Sequence, residues 1–326
     1  MRKLLINFFV FSLPLLICLL FFIADDPFGI FYKDKCLAEA SDDVVKTRNY
    51  LHNYSEQKYT SFIFGNSRAH GFLESDWQKN IGNERIYQFS SPGESVLNIK
   101  KKIELISKHQ QIKNALIIID AGILENTNNQ HRFYKGPVYE HSPLTSNSSY
   151  FNFFSNYIKY YFDDFFFVKH IYYKLTSSYK KEWMNDSFKD PSEGKSNEIN
   201  SFKYETLADS LINTNFVSYK SIYKPDYSAF KRKQSSVNAE DSVHLTKIKK
   251  ILDSHAVNYK FIIPPDFQGK KIAPKIYNTL YSILGNKLYD FTGINKISTD
   301  STLNYENLHF TSRAGAIILD SIYKTN

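Results

Sequence analysis

Short apolar runs, each stopped by small, polar or rigid residues and several followed by helix-patterned sequence, leave few folds open to this chain. Thr60–Phe64 reads as a buried strand ending in Gly65-Asn66-Ser67-Arg68, a turn into a helical stretch. Ile86–Phe89 is closed by Ser90-Ser91-Pro92-Gly93, and Glu94–His109 then carries Val96, Ile99, Ile103 and Ile106 at helical spacings of three and four. Ala115–Ile119 ends at Asp120, Tyr259–Ile263 follows a helix around Lys247–Ser254 and is halted by Pro264-Pro265, and Lys287–Phe291 is a last short strand. Strands alternating with helices imply an α/β fold: a three-layer sandwich around a mainly parallel sheet, whose ligands bind at the carboxyl ends of the strands. Ser67, Gly93, Asp120 and Pro264 all fall at such ends.

Between about 126 and 240 the rhythm is lost, and Tyr150–Tyr173 is crowded with aromatics around Asp163 and Asp164. This stretch reads as an insertion, either a cap that shapes a groove or rests on a membrane interface, or a helical core packed on the sheet. Ser187–Asn200 has the polarity of an exposed loop. An apolar fraction of 42% is ordinary, and Cys18 and Cys36 give no expectation of an internal disulfide. The formal charge of +8 favours an anionic neighbour such as lipid headgroups or an acidic glycan. Scattered lysines without zinc-ligand spacing or a binding module argue against nucleic acid.

Arg2 and Lys3 precede an apolar run from Leu4 to Ile23, about 20 residues and long enough for a membrane-spanning helix, and Asp25 and Asp26 follow it. No small-residue cleavage site follows, so residues 1–26 are expected to be an uncleaved anchor with a cytoplasmic N-terminus. Residues 27–326 would then form one extracytoplasmic domain, periplasmic or extracellular, interrupted by the insertion.

Ser67 stands where a strand turns into a helix, so its hydroxyl and amide address the same space. A serine needs a base to take its proton, and an attacked carbonyl needs fixed N–H donors. The base candidate is His309, in Glu306-Asn307-Leu308-His309 just before the apolar helix Ala316–Tyr323; in a helical turn Glu306 and His309 share a side. Over about residues 60–125 and 240–324 the chain resembles the SGNH, or GDSL-like, hydrolase superfamily, a flavodoxin-like fold. Phe64-Gly65-Asn66-Ser67-Arg68 looks like its first block and Glu306-Asn307-Leu308-His309 like its last. The resemblance implies Ser67 as nucleophile, His309 as base, Glu306 as orienting acid, and the amides of Ser67 and Gly93 as oxyanion donors.

The chain departs from the family in two places. Glu306 replaces the usual Asp, and the segment from Asp120 to Asn126 lacks the Gly-x-Asn block that donates to the oxyanion. Asn66, an insertion residue or Asn126 are the candidates to replace that donor. Anchored, outward-facing members of the superfamily move or remove small acyl groups on surface polymers. The implied function is a serine esterase or O-acyltransferase for acetyl-type groups on a cell-envelope or exported polysaccharide, needing no metal or organic cofactor and working with a membrane-bound acyl-transfer partner. Lipid-ester or thioester hydrolysis uses the same residues. The alternative is a catalytically inactive glycan-binding or assembly subunit.

Overall fold

The computed structural model describes residues 2–31, 37–38, 41–120, 123–124, 136–184, 188, 237–265, 269–304 and 309–324. The helices are α1 (Arg2–Asp25), α2 (Asp42–Gln57), α3 (Glu74–Ile81), α4 (Val96–His109), α5 (Tyr150–Phe162), α6 (Phe166–Thr176), α7 (Lys181–Met184), α8 (Ala239–Ser254), α9 (Pro274–Leu284), α10 (Lys296–Thr299) and α11 (Ser312–Tyr323). Contacts divide the chain into two compact units, one of Met1–Asn49, Phe133–Pro143 and Ser148–Glu198, the other of Tyr50–Arg132, Leu144–Asn147 and Ile199–Asn326. α1 shares its unit with the aromatic stretch. Cys36, Asn126 and most of the expected insertion and loop lie outside the described residues.

The second unit is built on one five-stranded sheet: β1 (Ser61–Phe64), β2 (Ile86–Gln88), β3 (Asn114–Ile118), β4 (Asn258–Ile263) and β5 (Leu288–Asp290). Its order is β2-β1-β3-β4-β5 and every pair is parallel, with Ile63 opposite both Gln88 and Leu116 and Ile117 opposite Phe261. Strands covered on both faces read as unbroken apolar runs, which is why β1 and β3 are buried at every position. Side chains alternate along a strand. Phe62, Phe64, Ala115, Ile117, Phe261 and Ile263 accordingly join the cluster made with α4, α8 and α9. Their neighbours Ile63, Leu116, Ile118 and Ile262 join Trp77 of α3 and Ala314, Ile318, Leu319 and Ile322 of α11. Helices therefore cover both faces, the arrangement expected of a three-layer α/β sandwich.

In the first unit α1 ends among rings. Phe22 lies 5.2 Å from Tyr161 and Phe28 5.0 Å from Phe166, and Tyr157, Met184 and Phe188 complete that core. The aromatic stretch is thus two helices with their own cluster, separate from the two sheet clusters. Among the described residues alone, no helix is long and apolar enough to cross a membrane.

Candidate active site

β1 runs into Gly65 at φ 144, where an added Cβ would stand 2.9 Å from both the Cβ and the carbonyl oxygen of Ile118. Only glycine lets the end of β1 approach β3 this closely. The next residue, Asn66, caps a 3₁₀ turn over Ser67–Gly71: its Oδ1 accepts from the Arg68 amide at 3.0 Å. Ser67 is the first residue of that turn, half-buried, and its Oγ lies 2.7 Å from His309 Nε2. A serine hydroxyl and an imidazole 242 residues apart in sequence are in hydrogen-bond contact, the geometry a nucleophile and its base require.

His309 stands outside any helix, one residue before an antiparallel bridge between Asn304 and Phe310. The bridge is extended by the Thr311 amide donating to Leu303 O at 2.8 Å, and Thr311 then caps α11. Two glycines bring this segment to the serine turn. A Cβ on Gly315 would overlap the carbonyl oxygen of Gly71, and a Cβ on Gly71 would overlap the Phe310 ring. The first turn of α11 therefore lies with its backbone directly on the end of the Ser67 turn.

Arg68 ties the surrounding strand ends together. Its guanidinium donates to Pro265 O after β4, sits 3.6 Å from Asp120 Oδ2 after β3, and lies 5.9 Å from the centre of the Phe310 ring. Asp120 in turn accepts from the Asn66 side chain at 2.9 Å and, through Oδ1, from the Ile123 amide at 2.9 Å. The carboxylate caps the chain after β3 and also braces the serine turn. The bonds to Asn66 and Arg68, the residues on either side of Ser67, brace the backbone that carries it.

The loop after β2 is held from beneath. Lys102, fully buried on α4, donates to Glu94, to Ser91 Oγ at 3.2 Å and to Phe89 O at 3.1 Å. The Ser91 amide donates to Gly65 O at 3.1 Å, so this loop, with Gly93 at φ 68, is tied to the serine turn.

The structure thus brings Ser67 and His309 together and sets the Gly93 loop beside the turn. Glu306 lies outside the described residues, as does Asn126. Asn66, expected as a replacement oxyanion donor, is otherwise engaged: its amide nitrogen is directed at Asp120 and its oxygen caps the turn. Sequence reasoning did not assign Gly71, Gly315 or the bracing role of Arg68. A glycine inside the helix-patterned run before Tyr323 was the available signal for Gly315. No protein-family model and no curated protein matches this chain.

Proposed function

We propose that the chain is a membrane-attached serine esterase or O-acyltransferase of the SGNH, flavodoxin-like kind, acting on acetyl-type esters of a cell-envelope or exported polysaccharide. The observation that carries this reading is the 2.7 Å contact between Ser67 Oγ and His309 Nε2 at the carboxyl edge of a parallel sheet. The strand order 2-1-3-4-5, a doubly wound arrangement with ligands at that edge, supports it. His309 Nε2 takes the Ser67 proton as Oγ bonds to the ester carbonyl carbon. The resulting oxyanion is assigned to the amides of Ser67 and Gly93. Collapse breaks the bond to the leaving alkoxide, which receives the proton from His309 and leaves an acyl-serine. Water or a sugar hydroxyl, deprotonated by His309, then bonds to the acyl carbon, the bond to Ser67 Oγ breaks, and His309 returns the proton to Oγ. Glu306 is assigned the second ring nitrogen.

Membrane attachment is proposed on the whole Leu4–Ile23 run and on the exposed apolar side chains of α1, among them Phe8, Phe11 and Leu20. One observation favours the non-catalytic alternative: the position after β3 carries Asp120, a carboxylate engaged with Asn66 and Arg68, in place of a neutral donor. Fluorophosphonate treatment of the full chain with peptide mapping separates the two readings. Labelling at Ser67 that falls by about a hundredfold or more in His309→Ala supports the enzyme. An unlabelled Ser67 in folded protein supports the binding subunit.

A further inference from the structure

α6 presents a stripe of apolar side chains to its surroundings. Val168 and Leu175 are 40% and 81% exposed, with half-buried Tyr172 between them at helical spacing, and Phe165, the residue that leads into the helix, is 70% exposed. The opposite side of the helix, with Phe166, Lys169 and His170, is buried. On α5, Phe151 is 81% exposed. A helix of a water-soluble unit places polar residues on its outer face, and contiguous exposed apolar side chains mark a surface that something else covers.

The end of α1 indicates what covers it. Asp25 Oδ2 lies 2.9 Å from His170 Nε2 and 2.9 Å from Lys174 Nζ, and His170 Nδ1 is 3.0 Å from the Tyr161 hydroxyl. These bonds pin the last residue of α1 to the middle of α6. If Leu4–Ile23 occupies hydrocarbon, Asp25 marks the boundary, and α6, about 16 Å long at 1.5 Å per residue, lies close to it throughout. The headgroup layer extends roughly 5–8 Å beyond the hydrocarbon on each side. Exposed Lys174, Lys180 and Lys181 are interspersed in sequence with Tyr172, Tyr173, Tyr179 and Trp183, and aromatic residues mixed with lysine are the composition favoured at that depth.

We propose that the outer face of α5 and α6 lies in the headgroup layer of an anionic bilayer, so that this unit is seated in the membrane surface as well as attached to it through α1. The proposal rests on the membrane reading above. The chain carries its own probe. It has two tryptophans; Trp77 is fully buried in the sheet unit, whereas Trp183 is 40% exposed and lies 5.5 Å from the Tyr172 ring.

The test places the full chain in phosphatidylglycerol-containing vesicles with lipids brominated either near the headgroup or near the chain end. Bromines near the headgroup are expected to remove most of the Trp183 emission, isolated by subtracting a Trp183→Phe variant, and to act more strongly than deep ones. Phe165→Ser combined with Leu175→Ser, both at exposed positions, should restore that emission. Alkaline extraction of the same vesicles reports on α1. A retained chain with unquenched Trp183 overturns the seating alone; a chain released by extraction overturns the attachment, and the seating with it.

Discussion

The two compact units bury apolar surface in different ways. The sheet unit uses alternating aliphatic and aromatic side chains on strands closed by protein on both faces, and polar groups at the strand ends are tied into named bonds. The aromatic unit uses rings around the end of α1, yet Phe151, Phe165 and Leu175 remain outside its core. In the first, both faces of the sheet are covered by helices, while in the second exposed apolar side chains line α5 and α6. Tolerance to substitution should follow: strict where glycine and charge pack against backbone, loose on the open face of α5 and α6.

The hardest test of that contrast is Gly315→Ala. Its Cβ meets a carbonyl oxygen, which cannot rotate away as a side-chain tip can, so a loss of about 3 kcal/mol or more is expected in chemical denaturation of the sheet unit. A change below about 1 kcal/mol would mean that α11 does not rest on Gly71. Next in size is Asp120→Ala, which leaves Arg68 without its carboxylate in a site where both side chains are about one-tenth exposed. A destabilisation of about 2 kcal/mol is expected, with slower fluorophosphonate labelling of Ser67 at unchanged His309. Stability lost without any change in labelling would show that the brace does not position the serine.

The units should also answer pH in opposite senses. In the aromatic unit, burial holds the His170 imidazole below its ordinary value despite the bonded Asp25. The unfolded chain therefore binds this proton first as pH falls. His170's contribution is complete above about pH 6.5 and is lost as pH drops toward its lowered value. Melting from pH 7.5 to pH 5 should lower the midpoint of this unit, and His170→Gln should flatten the slope. In the sheet unit, burial pushes Asp241, near the start of α8, up to about 7. Its contribution is complete below the ordinary carboxylate value and is lost as pH rises through about 7. Asp241→Asn should raise Tm by roughly 2–4 °C at pH 8 and leave it unchanged at pH 4. Equal shifts at both values would assign the effect to packing.

The strands were legible because parallel strands buried on two faces must be continuously apolar. Thr60–Phe64, Ala115–Ile119 and Tyr259–Ile263 each match the observed element to within a residue at either end. The turn after β1 was legible for a local reason, since Gly65 and Asn66 carry the backbone and capping demands of that turn in their own chemistry. What stayed hidden is non-local. Nothing near Arg68 in sequence announces Pro265, and nothing near Asp25 announces His170, because both pairings arise only when the folded chain brings distant segments together. The placement of α1 with the aromatic helices was obscured for the same reason: ring packing across more than a hundred residues leaves no periodic trace.

The glycine contact between Gly71 and Gly315 also sets when the Ser67–His309 pair forms. Ser67 belongs to the first strand–turn of the sheet unit and His309 to the segment entering α11, which follows every strand. No local structure can form the pair, so in a chain emerging from synthesis Ser67 and His309 meet only when α11 docks. Recovery of fluorophosphonate labelling at Ser67 during refolding is therefore expected to keep time with closure of the sheet unit.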